Sequence, residues 1–277
     1  MTGSKYFSKV IDLEEAYAFM DLQGTTFKDA ILNSRLPLED ESVIGRGKTA
    51  IDAFVELHVE QGPILEKKEK QIGVVESIVG NLKYDVSFEG AADHAGTTPM
   101  NLRKDALLAA SKLVQGVNAL ARKIKDSVGT VGFLDVSPNA PNVVPRKVRL
   151  IVDFRHHSDK TLEIVRKDIE KLFLRTCKTT NVDSSLKVRS YLKPASMIDR
   201  IKEAIEASSR ELGLRCMRLR SGAGHDSMIL SRIVDTGMIF VPSKAGKSHS
   251  TLEQTDPEDL VNGANVLANT LVFLASS

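Results

Sequence analysis

Between residues 81 and 89 the chain alternates strictly, with Leu82, Tyr84, Val86 and Phe88 apolar and Lys83, Asp85, Ser87 and Glu89 polar. A period of two predicts a strand with one buried and one wet face. From Ala106 the period lengthens. Ala106, Ala110, Leu113, Val117, Leu120 and Ile124 recur at spacings of three and four, which predicts a long amphipathic helix. Thr98-Pro99 upstream offers an N-cap followed by proline at the first helical position. Val131 and Phe133 mark a second strand, and Val148, Leu150, Val152 and Phe154 a third. Ser158 can cap a second helix with the stripe Leu162, Val165, Ile169, Leu172 and Thr176, and Leu186 and Val188 open a fourth strand.

The order β-α-β-β-α-β is the split βαβ, or ferredoxin-like, arrangement. It predicts an antiparallel sheet covered on one face by two helices. The flanks read differently. Residues 53–59 form a short, nearly continuous apolar strand. Ile198, Ile201, Ile205 and Leu212 stripe a helix, Met238 to Val241 is a short strand, and Leu260, Ala264, Leu267, Leu271 and Leu274 mark a closing helix. Asp256 or Thr255 can cap that helix, with Pro257 in its first turn. Strands alternating with helices predict an α/β layer. The expected fold is therefore an α/β domain built from residues 1–77 and 194–277, with an inserted α+β domain at 78–193.

Composition narrows the function classes. The net charge is +2, and basic residues are interleaved with acidic ones. The densest run, Lys67-Lys68-Glu69-Lys70, reads as a solvated turn and not as a nucleic-acid patch. No apolar run is long enough to span a bilayer, so no membrane role is expected. Cys177 and Cys216 are far apart and in no metal-binding spacing, which predicts buried free thiols. With no secretory leader recognisable, a reducing cytoplasm is the expected compartment.

The chain has six histidines. Four sit in polar or glycine-rich settings at the ends of predicted strands: His58 in Glu56-Leu-His-Val-Glu-Gln-Gly-Pro63, His94 in Asp93-His-Ala-Gly-Thr-Thr-Pro99, His225 in Gly222-Ala-Gly-His-Asp226, and His249 in Lys247-Ser-His-Ser250. Loops held by strand ends are where sites assemble, and neutral imidazole is both a metal ligand and an acid or base near neutral pH. A single histidine is more often a surface or capped core residue. Four in such settings shift the balance. His156-His157 at a helix start has only local polarity to explain it.

These same segments carry a resemblance. Phe54-Val-Glu-Leu-His-Val-Glu-Gln-Gly-Pro63 resembles the HxEQGP signature of the carbamoylase and allantoate amidohydrolase branch of the M20 metallopeptidase-like family. Asp93-His-Ala-Gly-Thr-Thr-Pro-Met100, followed by Arg103 and Asp105, is similar to that branch's lid motif. Pro138-Asn-Ala-Pro-Asn-Val-Val-Pro145, Asp153-Phe-Arg155, Ser221-Gly-Ala-Gly-His-Asp226 and Ser248-His-Ser-Thr-Leu-Glu253 complete the set in order. The resemblance implies a zinc-peptidase-like α/β catalytic domain, here incomplete, with a ferredoxin-like lid and dimerisation domain. It also implies hydrolysis of C–N bonds in linear ureido or amide compounds. Two divalent metals (zinc, manganese, cobalt or nickel) would share the attacking water, which a glutamate deprotonates. By position, His58 resembles a ligand of one metal and His249 of the other. Gln61 and His225 would contact substrate. His94, Asn142 and Arg155 would reach a neighbouring subunit's site, His94 at the oxyanion and Asn142 with Arg155 at the substrate carboxylate, a task suited to a planar guanidinium fork. A small ureido-carboxylate substrate and a homodimer formed through the lid follow from the same resemblance.

The family's other ligands, an HxD pair, a bridging aspartate and a glutamate pair, have no counterpart upstream of His58. Glu14-Glu15 read as exposed helical carboxylates, and Gly3-Ser-Lys-Tyr-Phe7 resembles the stretch that follows the glutamates. Glu60 and Asp226 are conceivable substitutes with no spacing to recommend them. The expectation is a truncated or split amidohydrolase with weak metal binding, little hydrolysis by this chain alone, and exposed apolar surface on the flanking domain. The alternatives are a non-catalytic dimerisation or carboxylate-binding module and, last, an enzyme with substitute ligands. Arg146 and Thr251 depart from the family pattern. Arg146 would be strained if it needed a positive φ, and Thr251 could loosen the loop of His249.

Overall fold

A computed structural model describes residues 1–21, 23–34 and 51–276. The chain begins with three helices, α1 (Thr2–Phe7), α2 (Leu13–Tyr17) and α3 (Phe27–Ser34). There follow β1 (Ala53–Val59), α4 (Ile64–Lys67), β2 (Ile72–Ile78), β3 (Gly80–Glu89), α5 (Ala106–Lys123), β4 (Val128–Ser137), β5 (Lys147–His156), α6 (Asp159–Thr180) and β6 (Asp183–Leu192). The last third holds β7 (Ala195–Ser196), α7 (Asp199–Glu211), β8 (Cys216–Ser221), α8 (Ser227–Leu230), β9 (Asp235–Val241) and α9 (Pro257–Ala275). These elements divide into two units, Met1–Ile78 with Ala195–Ser277, and Val79–Pro194.

The inner unit is an antiparallel sheet of order β4-β5-β3-β6. The alternation seen in the sequence becomes burial: Leu82, Tyr84, Val86 and Phe88 of β3 and Val148, Leu150, Val152 and Phe154 of β5 face α5 and α6 and form one core with Leu113, Val117, Leu162, Val165 and Ile169. Ser158 caps α6 through the Thr161 N–H as expected. The start of α5 differs from the expectation. Thr98-Pro99 precedes a short 3-10 turn (Met100–Leu102), and α5 begins at Ala106, capped by Asp105, whose carboxylate accepts from the Leu107 and Leu108 N–H groups. Thr98 is engaged elsewhere: its N–H donates to the His94 carbonyl and its own carbonyl accepts from Arg103. A carboxylate with two amide donors outcompetes a hydroxyl whose backbone is already committed.

The outer unit carries a mixed five-stranded sheet, order β1-β9-β2-β7 with β8 also on β2. β1 and β9 are parallel, in the register His58↔Phe240, and β2 and β8 are parallel as well. Ile201 and Ile205 of α7 and Val266 of α9 bury against Ile72, Val74, Ile239 and Val241. Among the described residues β1 pairs only with β9, and every residue of β1 is half-buried. Leu260, Val261, Leu271, Val272 and Phe273 of α9 are exposed, in keeping with the expected apolar surface. No helix among the described residues is long and apolar enough to cross a membrane.

Other expectations are corrected. Cys177 and Cys216 are free but half-exposed, because Cys177 lies near the end of α6 beside Ser184 and Cys216 opens β8. Arg146 is absent from the left-handed residues. Its N–H donates to the Ser137 carbonyl and its guanidinium reaches Glu89 at 3.1 Å, so the strain foreseen there does not arise. Glu14 and Glu15, by contrast, are exposed helical carboxylates as expected, and Glu15 also belongs to a capping box: its side chain accepts from the Asp12 N–H while Asp12 caps the Glu15 N–H.

Candidate active site

In the outer unit His58, Gln61 and the His249 loop lie at or beyond the carboxyl ends of the parallel pair β1 and β9, and His225 comes from the loop after β8, which runs opposite to that pair. His58 lies one residue before the end of β1. Its Nδ1 is 2.8 Å from the Val59 carbonyl, and a carbonyl only accepts, so the ring proton sits on Nδ1 and Nε2 keeps its lone pair. The His225 ring lies against it, with centroids 4.6 Å apart and edges toward faces, and Phe240 of β9 closes the group at 5.5 Å from His225. His225 is 3% exposed. Burial pushes its pKa down to about 4; the neighbouring His58 adds to the shift and Asp226 opposes it.

Beyond His58 the chain turns sharply. Glu60 is buried and its two carboxylate oxygens accept the Ile64 and Leu65 N–H groups at 2.7 and 2.8 Å. Those are orphan donors at the start of α4. Gln61 then adopts a left-handed φ of 58°, with its N–H on Ser243 Oγ at 3.0 Å and its side-chain amide on Ser248 Oγ at 3.1 Å. Ser248 donates to Glu253, which also accepts the His249 N–H at 2.7 Å. A chain of bonds thus ties Gln61 to the loop of His249. His249 is itself left-handed, at φ 55°, and exposed. The structure therefore brings His58 to His225, and Gln61 to the His249 loop. Ser221, Ser243, Phe240 and Glu253 complete these pairs. Of the four, only Ser221 and Glu253 lay inside a recognisable motif.

The inner unit carries the other three. The Ala95 N–H donates to the Asn142 carbonyl, the Val144 N–H to the Asp93 carbonyl, and His94 bridges to Val143, so His94 and Asn142 are neighbours. His94 Nδ1 accepts from the Gly96 and Thr97 N–H groups at 3.0 and 3.2 Å. Its proton must then sit on Nε2, which makes the exposed end of the ring a donor. Arg103 clamps this loop by donating to the Thr98 and Ala95 carbonyls. Arg155 stands apart on β5, and its Nε and Nη2 both donate to Asp153 at 3.0 Å. Part of the fork foreseen for a substrate carboxylate is therefore engaged by a neighbour on its own strand. Burial tends to raise the Asp153 carboxyl, but the bonds and charges of Arg155 and Lys83 prevail and hold it below its ordinary value.

Metal binding can be tested on the donors themselves. A catalytic zinc takes about three protein ligands, and the described residues include no cluster of three or more His, Cys, Asp or Glu placed to hold a metal ion. The conceivable substitutes are committed: Glu60 to α4, and Asp226 to the Ser4 hydroxyl at 2.6 Å. Glu56 caps α8 through the Ser227 N–H and hydroxyl. These residues do not by themselves fit a metal centre.

The pKa of His225 has a consequence for stability. It is depressed from 6.5 to about 4, so the unfolded chain binds more protons between those values. Stability is complete above pH 6.5 and falls as pH drops toward 4, by about 3 kcal/mol. Urea midpoints measured from pH 7.5 to 4 should show this slope, and His225→Gln should flatten it. An unchanged slope in that variant would count against the buried neutral imidazole.

The model of peptidase family M20/M25/M40 matches residues 3–272. The N-carbamoyl-L-amino-acid amidohydrolase of Paenarthrobacter aurescens is 35% identical over 99% of this chain and 67% of its own length. The allantoate amidohydrolase of Bacillus subtilis is 34% identical over 99% and 66%. The crystal structure of an amidase of the hydantoinase/carbamoylase family from Burkholderia vietnamiensis superposes with a TM-score of 0.87, at 35% identity, over 96% of this chain and 64% of that one. The chain spans about two thirds of the length of the curated relatives it matches. With the six motifs in place and the family model covering nearly every residue, the chain belongs to peptidase family M20/M25/M40.

Proposed function

We propose that this chain serves a hydrolase of C–N bonds in linear ureido or amide carboxylates, the class that includes N-carbamoyl amino acids and allantoate, and that it supplies residues that contact the substrate. The observation that carries this reading is that His58 lies against His225 while Gln61, three residues on, is bonded to the His249 loop beyond the carboxyl ends of β1 and β9. Relatives named for those two substrates share these motifs' span of chain. Gln61 and His225 bind the ureido group. At the neighbouring subunit's site His94, with its proton on Nε2, donates to the oxygen on which negative charge develops. Asn142 and Arg155 hold the carboxylate. Enzymes of the family are generally metal-dependent. The histidines His58 and His249 fall short of a metal donor set among the described residues. The chain pairs as a homodimer through the Val79–Pro194 unit.

Titration calorimetry with an N-carbamoyl amino acid, allantoate and the carboxamide of each tests the reading. Saturable binding that requires the free carboxylate, weakened about tenfold in Gln61→Ala as one hydrogen bond is lost, is the expected result. Absence of saturable binding for every ureido carboxylate would overturn it. Ammonia release with zinc, manganese, cobalt or nickel supplied measures how much turnover this chain achieves alone; little is expected.

A further inference from the structure

Ser221 ends β8 and is 1% exposed. The Gly222-Ala-Gly224 loop folds back so that Ser221 Oγ lies 2.7 Å from Nε2 of His225. The same oxygen accepts the Ala223 N–H at 3.1 Å, and the Ala223 carbonyl is 3.2 Å away. A hydroxyl has one proton to give and two lone pairs to offer. One lone pair is taken by the Ala223 N–H. The proton can go to Nε2 or to the Ala223 carbonyl, and the imidazole nitrogen is nearer by half an ångström. Burial of both side chains keeps water from supplying an alternative donor, so the hydroxyl's choice sets where the ring carries its proton.

We propose that Ser221 is a positioning residue which donates to Nε2 of His225 and thereby locks that imidazole as the Nδ1–H tautomer, making it a hydrogen-bond donor toward a ureido oxygen. This rests on the reading of His225 as a substrate contact and adds the polarity of that contact. The site would then hold two imidazoles side by side with Nδ1 protonated in each, His58 through the Val59 carbonyl and His225 through Ser221. The His94 ring is locked in the opposite sense by two backbone donors. A donor at Nδ1 favours a carbonyl oxygen over an amide N–H as the group His225 recognises. Recognition of the ureido carbonyl and rejection of an isostere without an oxygen there follow from that polarity.

The test is the long-range nitrogen-15 NMR pattern of histidine in the full chain at pH 7.5. Wild type should show Nδ1 protonated and Nε2 as acceptor at His225. Ser221→Ala should lose this preference, giving an averaged or Nε2–H pattern, while Ser221→Thr, which keeps a hydroxyl, should restore it. Binding of an N-carbamoyl amino acid should weaken about tenfold in Ser221→Ala and recover in Ser221→Thr. A wild-type Nε2–H pattern overturns the proposal. So does a Nδ1–H pattern that survives in Ser221→Ala. If Ser221→Ala fails to fold, the wild-type and Ser221→Thr patterns decide alone. The tautomer is read without turnover. The expected pattern in a chain that binds no ureido carboxylate would therefore count against the hydrolase reading and leave the role of Ser221 standing.

Discussion

Gly90→Ala should destabilise the inner unit by about 4 kcal/mol, enough to leave a domain of ordinary stability marginal. Gly90 follows β3, and a Cβ built on it falls onto the backbone carbonyl of Lys104. The obstacle is main chain, so no rotamer change can relieve it. Relief requires prying the end of β3 away from the segment that carries Arg103 and Lys104. That breaks the Ala91 N–H bond to the Lys104 carbonyl and strains the Gly90 N–H bond to the Arg146 carbonyl. Overpacking costs about 1–3 kcal/mol and each lost buried bond about 1 more. Because Arg103 also clamps the loop of His94, the damage should reach that histidine. Urea unfolding followed at the amides of β3 is the measurement. Gly132→Ala, where nothing lies within 4 Å of the added carbon, is the control and should change little. A Gly90→Ala midpoint equal to wild type would show that residues 90 and 104 are not packed as described.

Glu60→Ala should cost the outer unit a similar amount, about 4 kcal/mol. The carboxylate is buried and serves two amide donors that have no helical partner. Removing it orphans both, at about 1–3 kcal/mol each, and opens a cavity beneath Leu65. Glu60→Gln keeps the shape and one acceptor and should recover about half of the loss. Glu60 also shapes the turn: a Cβ on Gly62 would stand 2.8 Å from Glu60 Oε1, so the small residue and the acid belong together. With the anchor gone, Gln61 should lose its left-handed geometry, and the calorimetric affinity for ureido carboxylates should fall with stability. Glu60→Ala with wild-type stability would restore Glu60 as a residue available for other chemistry.

Much of this was open to reading along the chain. The period-two stretch at Leu82–Phe88 and the stripe from Ala106 are local patterns that directly encode which side chains are buried, and the sheet with two covering helices follows from their order. Strands β2 and β8 were harder. Ile72–Ile78 is buried along most of its length and shows no alternation, and Cys216–Ser221 mixes arginines with apolar residues on an edge. Thr98-Pro99 is a good local cap signal, yet α5 starts at Ala106. Only the fold shows that Arg103 and the His94 carbonyl have already claimed Thr98.

The candidate site divides in the same way. Histidines in glycine-rich strand ends, and the motifs around them, are legible because they are contiguous. The sequence by itself determined the family, the order of elements and the residues that could bear chemistry. The tertiary structure decided what each of those residues is free to do. Glu60 and Asp226 are spent on an N-terminus and a hydroxyl, and part of the Arg155 fork is spent on Asp153. His225 is neutral and paired with Ser221, while His94 presents Nε2–H. The reason is physical: hydrogen-bond capacity, burial and tautomer depend on partners distant in the chain, as Gln61 and Ser248 are, and local sequence carries no record of them.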